Sequence, residues 1–325
     1  MEYDLVNRCD NFCPWCAGFH GLNRADKTTW NKGNVGQSWK LDEAKDVLYQ
    51  LYDLRVKAVT FTGGGEPMMS PHIVELIQYA DSLTLDVALI TNGKRLTLEK
   101  AEQIFPYCEW VRVSVDASNP KEYEEQHGMF EKDWHSLLDN IEKIAVHKGD
   151  CTLGIAFLTN GLNDDSIMPF AELGKGLGVD YAQFRPQHLT TDQHTSKTLK
   201  MISNAIETYA DDPDYNVVCS EHKYQKIGDG NVGRYYTKCY GQHFAGVIAA
   251  DHKLYACCHM RGIEKYCIGD LRKQTLKEIW YSKKKMNMED VVDVTSSDCI
   301  PLCRGDSFNE ILFPLKQPIT HANFI

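Results

Sequence analysis

Along the first two thirds of the chain the apolar positions switch repeatedly between two periods. Leu41, Ala44, Val47, Leu48, Leu51 and Leu54 recur at helical spacing and predict an amphipathic helix. Short apolar runs at residues 3–6, 58–61, 86–90, 110–115, 151–158 and 181–184 read as strands. Between and after them, helical patterns cover 71–82, 97–105, 132–147, 165–177 and 197–210; in the third of these Trp134, Leu137, Leu138, Ile141 and Ile144 share one face. Strand–helix alternation of this kind implies a parallel sheet with helices outside. Six units are too few for an eight-fold barrel, so the expected fold is α/β: a partial (β/α)6 TIM-like barrel over residues 1–212. Active groups of barrels gather at the carboxyl ends of the strands.

The pattern changes after Asp211-Asp212-Pro213-Asp214. Alternation ceases and cysteines become frequent. Residues 244–257 read as a hairpin turning at Asp251-His252, and a helix is expected over 275–287. Residues 213–325 are therefore expected to form a second, smaller domain. Residues 17–40 lack periodicity and carry Gly18, Gly21, Gly33 and Gly36, as in long functional loops.

Composition narrows the function. The 45 acidic and 35 basic residues leave a formal charge of -10, and no basic stripe tracks phosphates, so a nucleic-acid partner is not expected. No run approaches the ~20 apolar residues of a membrane helix, and the acidic start carries no signal peptide. Twelve cysteines without an export signal point to metal or redox use in a reducing compartment, hence a cytoplasmic location.

The chemistry concentrates just after the first strand, in Cys9-Asp10-Asn11-Phe12-Cys13-Pro14-Trp15-Cys16. Three thiolates on one loop suit a soft metal centre with one position left open; a zinc knuckle is the competing reading. The second strand runs into Thr62-Gly63-Gly64-Gly65-Glu66-Pro67, where glycines permit close backbone approach and Glu66 offers a carboxylate to an ammonium group.

C-x3-C-x2-C followed by Gly64-Gly65-Glu66-Pro67 at the next strand end resembles the radical S-adenosylmethionine (SAM) superfamily, and the resemblance spans the barrel. It implies that Cys9, Cys13 and Cys16 hold a [4Fe–4S] cluster whose open iron chelates SAM. Gly64, Gly65, Glu66 and Pro67 would receive the amino group of SAM, and Trp15 would pack near the adenine. Asn92 after the third strand, with Ser114 and Asp116 at the fourth, would line the ribose and carboxylate. The implied chemistry is reductive cleavage of SAM to a 5′-deoxyadenosyl radical, which abstracts hydrogen from a C–H bond. A reductase such as flavodoxin or ferredoxin would supply the electron.

In the second domain, Cys239, Cys257, Cys299 and Cys303 could enclose a fully ligated [4Fe–4S] cluster or a structural zinc. Beside a radical SAM core the layout resembles the twitch/SPASM auxiliary domains. The x3 spacing of Cys299 and Cys303, with no longer terminal cysteine run, implies one auxiliary cluster. Strand alternation would point Cys257 and Cys258 to opposite faces, leaving Cys258 and Cys267 as spare thiols and candidate hydrogen donors. Cys108, Cys151 and Cys219 read as buried small hydrophobes.

Among twitch and SPASM enzymes, the expected substrate is a small polar molecule (aminocyclitol, sugar or nucleoside-like), undergoing dehydrogenation or epimerisation. That choice rests on the cluster loop beginning at residue 9, which leaves no room for a leader-peptide domain. A maturase acting on a peptide or protein is the alternative; a non-catalytic metal-binding module is the alternative of another class. Arg185 at the sixth strand end is a candidate for binding a substrate carboxylate or phosphate, and His20 in the long loop is another contact candidate.

Overall fold

The structure is a computed structural model and describes residues 1–16, 36–187, 194–230, 233–296 and 298–316. His20 and most of the 17–40 loop lie outside the described residues. The parallel strands follow in chain order: β1 (Glu2–Asp4), β2 (Ala58–Thr62), β3 (Asp86–Thr91), β4 (Trp110–Ser114), β5 (Thr152–Thr159), β6 (Tyr181–Pro186) and β7 (Asn216–Cys219). The helices between them are α1 (Leu41–Asp53), α2 (Ile73–Ser82), α3 (Leu98–Ile104), α4 (Pro120–His127), α5 (Glu131–Ala145), α6 (Ile167–Gly176) and α7 (Ser196–Thr208).

Strand alternation sets the two faces of this sheet. Val59, Phe61, Val87, Leu89, Val111, Val113, Leu153, Ile155 and Phe157 are buried with the apolar faces of the helices. The alternate positions, among them Glu2, Asp4, Thr62, Arg112, Ser114, Gln183 and Arg185, face the barrel interior. The core is thus the helix–sheet layer, and the interior is polar.

Two departures concern elements that the apolar pattern misses. Helix α4 carries its own start and stop: Asn119 accepts from the Glu122 amide at 3.0 Å, Pro120 opens the helix, and Gly128 closes it at φ 61°. Strand β7 follows the compositional break at 211–214 yet pairs in parallel with β6, Tyr181 against Asn216.

Beyond β7 come α8 (Glu221–Gly228), then the expected hairpin as β8 (Val247–Ile248) and β9 (Lys253–Tyr255), followed by β10 (Cys267–Asp270). His252 takes φ 66° at the turn. The hairpin extends the barrel sheet: β8 pairs in parallel with β1, Tyr3 against Ile248, giving the order β10-β9-β8-β1-β2-β3-β4-β5-β6-β7. The single helix expected over 275–287 is broken. Short helices α9 (Leu276–Trp280) and α10 (Lys283–Met286) flank Ser282, whose hydroxyl accepts from the Lys285 amide at 3.1 Å and restarts the chain as an N-cap. Helices α11 (Met288–Val291) and α12 (Asp306–Lys316) complete the described chain.

Candidate active site

The cysteine loop leaves β1 at its carboxyl end and is held from three sides. Gly65 and Glu66 donate their amides to the carbonyls of Val6 and Arg8, at 3.0 and 2.7 Å. A Cβ on Gly65 would stand 2.1 Å from the Arg8 carbonyl oxygen. The glycine-rich turn therefore closes on the cysteine loop itself, where a general approach to a ligand was the expectation. From the turn after β3, Asn92 Nδ2 donates to Asp10 at 2.8 Å and Arg95 Nε at 2.7 Å. From the end of α4, the His127 carbonyl accepts the Phe12 amide at 2.9 Å, and His127 Nδ1 lies 3.1 Å from Cys13 Sγ. His127 Nε2 lies 3.0 Å from the Val115 carbonyl, so a buried imidazole braces Cys13 against β4.

Burial pushes the Cys9 thiol up to about 12 and the Cys13 thiol further still. Protons on such thiols leave only in exchange for a cation. Trp15 is 39% exposed in the turn between Cys13 and Cys16.

Glu66 is buried, and both carboxylate oxygens are engaged. Oε1 accepts from the Met68 amide at 2.9 Å and the Thr91 hydroxyl at 2.6 Å; Oε2 accepts from the Asn92 amide at 2.7 Å. Burial raises its pKa to about 7 despite these donors. Asn92 thus joins Glu66 to the cysteine loop. Ser114 stands at the end of β4, and buried Asp116 follows at φ 50°, accepting the Leu158 amide at 2.9 Å.

On the far side of β1, Arg261 pairs with buried Asp4 and Arg304 reaches Glu2 at 2.6 Å. These contacts lock the C-terminal segment onto the barrel mouth. Burial, opposed by Arg261, lifts Asp4 to about 7.

The second cysteine group lines one cavity, into which Cys239, Cys257, Cys258, Cys299 and Cys303 all open. Cys257 and Cys258 do not diverge as strand alternation would require. Strand β9 ends at Tyr255, and Cys257 caps a 3-10 turn over Cys258–Met260, accepting the His259 amide at 3.3 Å. Cys267 is elsewhere: 3% exposed, it packs with Ala249 and Tyr255. Arg234 braces the Cys299–Cys303 loop, donating to the carbonyls of Val294, Cys299 and Ile300 at 2.8, 3.0 and 2.5 Å, to Cys299 Sγ at 3.4 Å and to Asp306 at 2.9 Å. Asn309 Nδ2 lies 3.7 Å from Cys239 Sγ.

The family model for the radical SAM superfamily matches residues 3–174, and that for an iron–sulfur cluster-binding domain, SPASM, matches 239–305. The chain belongs to the radical SAM superfamily. An S-adenosylmethionine-dependent nucleotide dehydratase of Flammeovirga pacifica is 29% identical over 119 residues, 37% of this chain and 39% of that protein. An AdoMet-dependent heme synthase of Methanosarcina barkeri is 30% identical over 183 residues, 55% and 48%. The matched stretches span less than half the length of these curated relatives. Streptococcus suis SuiB bound to precursor peptide SuiA shares the fold at 13% identity and a TM-score of 0.66, over 87% of this chain and 64% of that one.

The cofactors of this radical SAM chain are accordingly a SAM-binding [4Fe–4S] cluster, SAM, and auxiliary iron–sulfur. The residues fit them. Both donor sets are all sulfur, which suits iron–sulfur clusters over hard cations. Among the described residues no group of three or more His, Cys, Asp or Glu side chains stands in a single-ion arrangement. Among the described helices none is long and apolar enough to cross a membrane. Several site residues escape sequence reasoning. His127, Arg234 and Arg261 carry no local signal, because only chain crossing brings them to the cysteines. Arg112 does carry one: a charge alternating with Val111 and Val113 on a buried strand.

Proposed function

We propose that this radical SAM enzyme abstracts hydrogen from a C–H bond of a small polar substrate, giving dehydrogenation or epimerisation. The observation that carries this reading is the polar barrel interior, where Arg112 of β4 and Gln183 and Arg185 of β6 face inward and Arg112 donates to Gln183. When bound, the reduced cluster and SAM supply a 5′-deoxyadenosyl radical. Cys9, Cys13 and Cys16 hold that cluster, with His127 and Asn92 fixing the loop's orientation. Glu66 accepts the SAM ammonium, its geometry set beforehand by Met68, Thr91 and Asn92. Trp15, Gly64, Gly65, Pro67, Ser114 and Asp116 complete the SAM cradle.

Cys239, Cys257, Cys299 and Cys303 would hold one auxiliary [4Fe–4S] cluster, which would supply an acceptor for the second electron of a dehydrogenation. Cys258 opens into the same cavity and is the candidate hydrogen donor for an epimerisation; the packing of Cys267 does not support that role. A flavodoxin- or ferredoxin-type reductase supplies electrons. The name of the nucleotide dehydratase relative supports a nucleoside-like substrate. A second reading, action on a peptide, is favoured by the precursor peptide held by SuiB.

The experiment is anaerobic incubation with SAM, a reductant and panels of nucleotides, aminocyclitols and peptides in deuterated water. Epimerisation places one solvent deuterium in the product, whereas dehydrogenation forms a ketone without solvent label. Cys13→Ala should abolish 5′-deoxyadenosine formation; retained cleavage would sink the proposal.

A further inference from the structure

We infer that Arg112 and Arg185 form an anion-binding subsite inside the barrel that takes a phosphate or carboxylate group of the substrate. This deepens the proposed function and rests on it. Arg112 sits between Val111 and Val113 on β4, and Arg185 follows Phe184 on β6; the apolar neighbours pack toward the helices, so both arginines face inward. The strand between them presents Gly154 and Ala156 to the interior. A Cβ on Gly154 would stand 2.1 Å from the Tyr181 ring. The absence of bulk on β5 lets Arg112 reach over it, donating from Nη1 to Gln183 Oε1 at 2.6 Å.

Among the described residues Arg112 also bonds Tyr181, and Lys223 is in electrostatic reach of Asp306, which Arg234 already engages. The Nε atoms of Arg112 and Arg185 are buried, and among the described residues neither has a hydrogen-bond partner. The carboxylate that both arginines feel is Asp116, which is already engaged by the Leu158 amide and lies 3.6 Å from His127 Nε2. Glu2 and Asp4 on the opposite wall are matched by Arg304 and Arg261. Burial, and then the neighbouring Arg185, lowers Arg112 to about 10, and the same two causes lower Lys223 on α8.

Buried like charges are costly until a counter-charge arrives, and a guanidinium fork matches a phosphate or carboxylate with two parallel bonds. Lys223 is also within electrostatic reach of Cys258 and Cys303.

The test uses the full chain, anaerobically reconstituted and saturated with SAM, titrated calorimetrically with inorganic phosphate and, separately, with succinate. At least one should bind saturably. Arg185→Met should weaken that binding about tenfold or more, the loss of one charge-assisted contact, while SAM affinity stays within about twofold. Arg185→Lys should recover part of the loss. Lys223→Met provides a milder second variant, at a site less embedded in the sheet, and should weaken the same anion. Preference for phosphate assigns a phosphoryl-bearing substrate; preference for succinate assigns a carboxylate; either supports the subsite. It is overturned if neither anion binds saturably, or if both variants bind as the parent does. It is also overturned if Arg185→Met loses SAM, which would give the arginine to SAM's carboxylate. Failure of the parent to form 5′-deoxyadenosine would instead strike the proposed function and leave the anion titration readable.

Discussion

Replacing Glu66 with Gln removes one charge while keeping the side chain's shape. In the folded chain the carboxylate accepts three hydrogen bonds, from Met68, Thr91 and Asn92, and burial lifts it to about 7. An amide can receive on one side only, so Glu66→Gln turns an N–H toward at least one of those donors. Losing a hydrogen bond to a charged group costs about 1.5–3 kcal/mol, which predicts SAM affinity weaker by roughly 10- to 150-fold. The pKa adds a second, independent signature. On the proposed role, below about 7 the site must release a proton before it can pair with the SAM ammonium, so the parent's Kd should rise about fivefold between pH 7 and pH 6. Glu66→Gln should show no such slope.

Folding runs the other way. Glu66 keeps its proton up to about 7 when folded but loses it near the ordinary 4.5 when unfolded. Stability contributed by the protonated form is thus present below 4.5 and lost as pH rises to 7, by about 3 kcal/mol at 1.36 per unit. On the proposed role of Glu66, pairing with the SAM ammonium would offset that cost. Equilibrium dialysis of radiolabelled SAM at both pH values, with urea midpoints for the apo-protein, measures both effects. A parent Kd flat across that range, or Glu66→Gln binding SAM within about twofold of the parent, would refute the reasoning.

Arg234→Met should unpair buried Asp306 and free the Cys299–Cys303 loop, costing about 3–5 kcal/mol. Its readout is a lower urea midpoint together with iron lost from the auxiliary site but retained at the cysteine loop. Gly65→Ala forces a methyl group to 2.1 Å from the Arg8 carbonyl oxygen and should displace the cysteine loop at about 1–3 kcal/mol. Reconstituted iron content and SAM binding should both fall; if both hold at the parent's level, the turn does not clamp that loop. Arg261→Met leaves Asp4 buried without its cation, so apo-stability should drop and the drop should be smaller below about pH 7, where Asp4 takes up a proton. A pH-independent loss would show that packing, not charge, is what Arg261 contributes.

Local pattern was enough for much of this protein. Helical and two-residue periods in the apolar positions predict α1 and the six strand–helix units, because each element must bury one face wherever it packs. Spacing alone put Cys9, Cys13 and Cys16 on one loop and Glu66 at the next strand end, since residues close in sequence stay close in space. The breaks came where a polar side chain, not an apolar stripe, sets the element: Asn119 starting α4 and Ser282 dividing α9 from α10.

What tertiary structure decided was everything that depends on distant segments meeting. His127 reaches Cys13 across more than a hundred residues, and Arg261 meets Asp4 across more than two hundred. The parallel pairing of β8 with β1 sets the auxiliary cysteines against the barrel mouth. Cys257 and Cys258 share a cavity because the strand stops before them, a fact of chain geometry that alternation cannot foresee. The buried Nε atoms of Arg112 and Arg185, without partners among the described residues, have the same origin. A sequence states which charges exist, whereas only the fold states which are left without partners.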